Sequence, residues 1–335
     1  MSRLVRDRVR ASRRLQELYA PIQAELETVE EALRREFSSQ DPFVDRLARH
    51  GFRLGGKRLR PALVLLSAQA CGGSILPAHV VLATVMEMIH TATLLHDDVL
   101  DEATIRRHTD TVNARWNNEA SILLGDFLLA RAIEHVASLD CPYACRVIAE
   151  ASRVVCEGEL RQVSCRGDFD LAEDQYLAII ADKTAALTSC SCRLGAYYAG
   201  ADAALCERFA RFGRWLGIAF QIADDLLDVL GDEATTGKSL GTDLAKQKAT
   251  LPLIRLLDRV STADRQEVLG ILNRGDNHRM EALRAWYHST DAIPYAHQKA
   301  AEYAQRAAGE LEGLQSATAV KMLLSLTEFV VARHE

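Results

Sequence analysis

An all-helical fold is predicted by three observations. Proline and glycine are sparse, 7 and 19 among 335 residues. No run of Val, Ile and Thr alternates with the period of two that a half-buried strand needs. Ala, Leu, Arg and Glu dominate instead, and apolar residues recur every three or four positions, as helix formers on an amphipathic face do. With 48% apolar residues the chain can build a sizeable core. No linker divides it, so residues 1–335 read as one domain. A net charge of −6 argues against nucleic acid as the main partner. The eight cysteines show no paired CxxC spacing. Cys141 with Cys145, or Cys190 with Cys192, could form a metal or redox pair, but buried structural thiols in a reducing cytoplasm are the expectation. No apolar stretch is read as reaching the ~18 residues of a membrane span, and no signal-peptide core is seen, so a cytoplasmic location is expected.

In order, residues 1–14 carry six arginines against one acid, Asp7. This start fits either a solvated helix beginning or a contact with an anionic membrane. Leu15, Leu18, Tyr19, Ile22, Leu26, Val29 and Leu33 then mark one amphipathic helix, broken by Ser38-Ser39-Gln40-Asp41-Pro42. Gly55-Gly56-Lys57-Arg58-Leu59-Arg60-Pro61 follows, ahead of an apolar run from Ala62 to Cys71. Three cations before a helix whose first amides are open suit an anion, although basic helix starts are common on surfaces. The glycine spacing is not that of a Walker loop.

The helix after Pro77 ends in His96-Asp97-Asp98-Val99-Leu100-Asp101, and a later one, from Phe209 to Leu230, contains Gln221 and then Asp224-Asp225-Leu226-Leu227-Asp228. Residues four apart share a helix face, so Asp97 points with Asp101 and Asp224 with Asp228. Carboxylates in apolar surroundings need a cation between them. A set of oxygen donors alone points to Mg²⁺, which keeps positions for substrate phosphate. His90, Thr93, Asp97 and Asp101 form one stripe; His90 is either a satisfied core residue or a substrate contact. Arg106-Arg107 suits bidentate phosphate binding, or is simply solvated. Leu123 to Ala132, Val147 to Val163 and Tyr176 to Ala196 read as core helices, the last holding Lys183-Thr184. Residues 166–174 read as an acidic loop, and residues 231–241 as a mobile loop holding Gly237-Lys238. Asp243, Lys246 and Lys248 precede Thr250-Leu251-Pro252, and residues 273–277 form a turn between amphipathic helices without further chemistry.

These motifs resemble the trans-isoprenyl diphosphate synthases, or polyprenyl synthetases, and its long-chain members in particular, such as octaprenyl and heptaprenyl diphosphate synthases. The resemblance is carried by GGKRLRP at 55–61, HTATLLHDDVLDEATIRR at 90–107, GELRQ at 158–162, DKTAAL at 182–187, AFQIADDLLD at 219–228 and GKSLGTDL at 237–244. It implies an all-α isoprenoid-synthase bundle around a central cavity, a homodimer, and head-to-tail condensation of an allylic diphosphate with isopentenyl diphosphate. It further implies that Asp97, Asp101 and Asp224 hold three Mg²⁺ ions, with Asp98, Asp225 and Asp228 in support. Arg106, Lys183, Thr184, Gln221, Lys238 and Lys248 would hold the allylic diphosphate. Lys57, Arg60, His90 and Arg107 would hold isopentenyl diphosphate.

In this family bulky aromatics four and five residues before the first aspartate close the cavity early. Here those positions are Thr93 and Ala92, and the next turn offers Ile89 and Met88. A product in the heptaprenyl-to-decaprenyl range is therefore expected, unless a floor from the helix of Val147 to Val163 shortens it to geranylgeranyl. Two departures stand out. His108-Thr109-Asp110-Thr111 replaces a usual Gly-Lys-Pro-Thr, and Gln247-Lys248 replaces a usual Gly-Lys. A terpene cyclase would lack the second aspartate motif and the Lys57/Arg60 clamp, and a non-catalytic partner subunit would lose aspartates. This chain keeps all six.

Overall fold

The computed structural model describes residues 15–230, 241–274, 279–315 and 317–332. The arginine-rich start, Gly237 and Lys238, and most of the 273–277 turn lie outside the described residues. The first amphipathic helix is interrupted. Residues 15–19 are helical, Ala20–Ile22 tighten into a 3₁₀ turn, and α1 runs from Gln23 to Glu36. Pro21 sits in that turn and removes the amide that a continuous helix would need. The apolar period survives the break because Leu18, Tyr19, Ile22, Val29 and Leu33 all face the core.

Then come α2 (Pro42–Arg53), α3 (Leu59–Ala70) and α4 (Pro77–Leu100). Asp41 caps α2, accepting from the amides of Phe43 and Val44 at 2.8 and 3.0 Å. Proline at the first turn starts both α2 and α4. The expectation that no stretch is long and apolar enough to span a membrane is corrected by α4. Its 24 residues include an 18-residue window of mean hydropathy 1.4, and about two-thirds of that window is buried inside the protein. A core helix of a large bundle meets the same length and polarity criteria as a membrane span. Polar Glu87 and His90 within the run hide this in a reading by eye.

A small hairpin follows where no strand was expected: β1 (Ile105–Arg106) pairs antiparallel with β2 (Thr109–Asp110). Its two turn residues, Arg107 and His108, have φ of 51° and 63°, the left-handed pair that a two-residue hairpin turn requires. One helical turn, Val112–Arg115, leads into α5 (Asn118–Ala137) and α6 (Pro142–Ser164). Next are α7 (Glu173–Ile180), a π turn at Ala181–Ala185, and α8 (Ala186–Tyr198), so the single helix expected over 176–196 carries a wide turn at its centre. The longest helix, α9, spans Ala203–Leu230. After a turn at Thr242–Ala245 come α10 (Leu251–Arg259), α11 (Thr262–Leu272), α12 (Arg279–Ser289), α13 (Ala292–Gly309) and α14 (Ala317–Val331).

At the middle, α8 packs against α3, α4, α6 and α9. The main core runs through these helices, with Leu63, Leu65, Leu66, Met86 and Phe212 fully buried. Cys190, Cys192 and Cys206 are buried as expected; Cys141 and Cys145 are half-buried, Cys156 is exposed, and all eight thiols are free. Both aspartate motifs close their helices at the C-terminal end, α4 at Leu100 and α9 at Leu230. That end of a helix carries partial negative charge, so the acids there deepen a field that attracts cations.

Candidate active site

Asp97 lies half-buried with one oxygen 3.8 Å from Lys183 Nζ. Burial pushes its carboxyl up to about 6, against the pull of Lys183. Asp98 points elsewhere. Its side chain is 1% exposed and accepts from Arg106 Nε and Nη2 at 2.9 and 2.8 Å. Asp101 caps the end of α4 and meets three cations: Arg166 at 3.2 Å, Lys246 at 3.1 Å and Lys248 at 3.2 Å. Burial would raise the Asp101 carboxyl, but Lys248, Lys246 and Lys183 together outweigh it and hold it below the usual carboxylate range.

The π turn brings Lys183 and Thr184 between the two motifs. Lys183 donates to Gln162 at 2.8 Å and pairs with Glu159 of α6. Burial works against its charge, but Asp97 and Glu159 raise its pKa further than burial lowers it. Thr184 donates to Gln221 at 2.8 Å on α9. The extra residue in a π turn re-aims side chains relative to a regular helix, and such turns concentrate at functional sites. Gly158 lets α6 come this close, since a Cβ there would stand 2.6 Å from the Lys183 amide nitrogen.

On α9, Asp224 is half-buried, and Asp225 accepts from Tyr176 at 2.6 Å and from Gln221 at 2.7 Å. Burial pushes the Asp225 carboxyl well above its usual range, and nearby Asp243 adds to this. Asp228 accepts from the Thr242 hydroxyl at 2.9 Å and the Asp243 amide at 3.1 Å. Burial, with Asp243, lifts it to about 6. A pocket of about 70 Å³ opens here, lined by Tyr176, Lys183, Thr184, Gln221, Asp225 and Lys248 among others.

The basic clamp gathers around Glu87 and His90 of α4. Arg107 donates to the Leu54 carbonyl at 2.7 Å, and its guanidinium lies against Gly56, where a Cβ would come within 2.8 Å of it. Arg58 takes φ of 53° and turns inward to Glu87 and Glu30, both at 2.8 Å. Burial brings Arg60 down to about 10, with Glu87 opposing and Arg107 reinforcing the shift, and its Nε is buried with no hydrogen-bond partner. Burial and the surrounding arginines hold His90 well below its usual pKa, so it is a neutral imidazole at pH 7. Lys57 is exposed, 5.8 Å from the ring centre of Phe329. No side chain caps the start of α3, which leaves its first amides open toward this clamp.

Of the cavity residues, Ala92, Ile89 and Met88 are buried in the core and Thr93 is half-buried, its hydroxyl on the His90 carbonyl. Further down α4, Met86 meets Cys190 of α8 at 3.9 Å, and Cys190 meets the Val147 carbonyl of α6 at 4.0 Å. Lys238 lies outside the described residues. Functional reading of the sequence missed Glu87, Arg58 as an inward cation, Glu159, Tyr176, Arg166 and Lys246. Glu87 was legible as an acid inside an apolar run. The other partnerships join segments far apart in sequence and leave no local signal.

Oxygen donors from Asp97, Asp101, Asp224 and Asp228 suit a hard divalent cation. Among the described residues no three His, Cys, Asp or Glu groups already converge to hold one.

The bundle and its opposed acidic helix ends are those of the all-α isoprenoid synthases. Within that class the chain belongs to the polyprenyl synthetase family, whose model matches residues 41–289. An all-trans-nonaprenyl-diphosphate synthase (geranyl-diphosphate specific) of Rhodobacter capsulatus is 36% identical over 318 residues, covering 95% of this chain and 98% of that protein. A short chain isoprenyl diphosphate synthase of Methanothermobacter thermautotrophicus is 34% identical over 313 residues, covering 92% and 96%. The solved polyprenyl synthase of Caulobacter crescentus CB15, complexed with calcium and isoprenyl diphosphate, superposes with a TM-score of 0.90 at 34% identity, covering 96% of this chain and 98% of that one.

Proposed function

We propose that this chain condenses an allylic diphosphate with successive isopentenyl diphosphates, head to tail, to give a long all-trans polyprenyl diphosphate. The observation that carries this reading is the bridge between the motifs: Lys183 beside Asp97, and Thr184 on Gln221 one turn before Asp225. Asp97, Asp101 and Asp224 would hold Mg²⁺. Asp98 and Asp225 serve as orienting carboxylates, already committed to Arg106 and to Tyr176 with Gln221. When bound, the metal supplies positive charge for the departing diphosphate. Lys183, Thr184, Gln221, Lys248 and Arg106, with Lys238, add hydrogen bonds to that group, so the allylic C–O bond breaks toward a carbocation. Lys57, Arg60, His90 and Arg107 hold isopentenyl diphosphate, whose double bond attacks the cation. The proton is then lost to the released diphosphate, and no protein nucleophile is required.

The small Ala92 and Thr93 support a long product, since neither closes the cavity in the turn below Asp97. Exposed Leu123 and Ile133 on α5 and Leu160 on α6 give an apolar face that fits a homodimer. A cytoplasmic location belongs to the same reading, with the long apolar α4 serving as core.

The test is product length with purified protein, Mg²⁺, farnesyl diphosphate and labelled isopentenyl diphosphate, beside an Asp97→Ala control. Long products that vanish in the control are expected. Geranylgeranyl alone would overturn the long-chain reading, and no extension of any allylic primer would overturn the synthase.

A further inference from the structure

Two segments, the first of them also carrying Lys248, converge on Asp101. The first, residues 241–250, begins under the control of the second motif. Asp228 accepts from the Thr242 amide and hydroxyl through one oxygen and from the Asp243 amide through the other. Four residues on, the same segment delivers Lys246 and Lys248 to Oδ2 of Asp101, in the first motif. The second, the loop after α6, delivers Arg166 to Oδ1 of Asp101 and to the Leu100 carbonyl. A hydrogen bond of 2.9 Å from the Gly167 amide to the Gln247 carbonyl ties the two segments together. Each carboxylate oxygen of Asp101 is therefore engaged by a cation. Asp97, by contrast, has a single ammonium at 3.8 Å.

We propose that Lys246 and Arg166 are metal-competing cations, which latch Asp101 in the metal-free enzyme and must be displaced when the metal enters. The proposal rests on the assignment of Asp101 as a metal ligand. Like-charge repulsion makes the two states exclusive. A divalent ion on Asp101 Oδ2 would stand within a few ångströms of the Lys246 ammonium, a contact the carboxylate cannot offset for both. Lys246 and Arg166 are half-exposed enough to swing away, whereas Lys248 is 9% exposed and has Asp243 as a second partner at 3.8 Å. Asp228 anchors the strap that latches Asp101, so the two motifs share one piece of backbone.

The experiment measures metal binding without turnover. Mn²⁺, a hard oxygen-seeking ion, is titrated into full-length enzyme with inorganic diphosphate and neither prenyl substrate, and free Mn²⁺ is followed by electron paramagnetic resonance. Lys246→Gln is expected to bind Mn²⁺ about three- to ten-fold more tightly than the wild type, from removal of one charge a few ångströms from a divalent ion near solvent. Arg166→Gln shifts the same way. In an Asp101→Asn background, Lys246→Gln brings no gain. Unchanged or weaker binding by Lys246→Gln, with Asp101→Asn weakening it, overturns the latch and leaves the metal assignment standing. Binding unaffected by Asp101→Asn overturns the assignment and the latch together.

Discussion

Replacing Asp97 by Asn is expected to stabilise the metal-free protein. Burial, opposed by Lys183 at 3.8 Å, raises the Asp97 carboxyl from 3.8 to about 6. The folded state then holds this proton over a pH range where the unfolded chain has released it. Stability contributed by the group is therefore lost as pH rises from 3.8 through 6, and the loss is complete above that window. At ~1.4 kcal/mol per pH unit, the ionised carboxylate costs the folded state about 3 kcal/mol at most at pH 7.5. Asn is nearly the same size and carries no charge. Lys183 loses one partner but keeps Glu159 and the 2.8 Å bond to Gln162. Because the shift to about 6 already contains the attraction to Lys183, nothing further is subtracted, and the net gain is at most about 3 kcal/mol, or up to about 4 °C in Tm for a chain of 335 residues. The assay is calorimetry in a chelator at pH 7.5 and at pH 4.5. The gap between variant and wild type should shrink at the lower pH, where the wild-type carboxyl is protonated. With Mg²⁺ and diphosphate added the gap should narrow or reverse, since the wild type keeps all three metal carboxylates and gains more from binding than the variant does. A variant less stable than wild type at pH 7.5 in chelator, or a gap independent of pH, would refute the reasoning.

Other outcomes follow from the same geometry. Glu87→Ala removes the buried partner of Arg58 and should cost about 3 kcal/mol in denaturant unfolding. His108 and Gln247 occupy left-handed backbone at φ of 63° and 55°, so His108→Gly and Gln247→Gly should each raise stability by up to ~1 kcal/mol, measured by the same method. Ala92→Phe should shorten the product in the chain-length assay, and unchanged products would remove the cavity argument.

The order of helices, the inward faces and the two aspartate motifs were legible in the sequence because each is a local pattern. Periodicity of three and four assigns Leu18 to Leu33 and the length of α9 to the core regardless of what packs on them. Spacing of one, two and five puts Asp97 with Asp101 without any knowledge of neighbours. The same local logic failed where one residue changes a turn. Pro21 broke an otherwise regular period, and α4, long and apolar enough for a membrane span, proved to be core. The two departures from the usual family glycines were visible as letters, but their common cause, positive φ at both, needed the backbone.

Tertiary structure decided the assignments within each motif. Six aspartates look equivalent in sequence, yet Asp98 is committed to Arg106, Asp225 to Tyr176, and Asp228 to the amides of residues 242 and 243. Asp101 is held by Lys248 across a separation of 147 residues. The pattern of a helix states which face a residue occupies, because the backbone repeat is local. Its partner is set by how distant helices approach, and that depends on packing of the whole core.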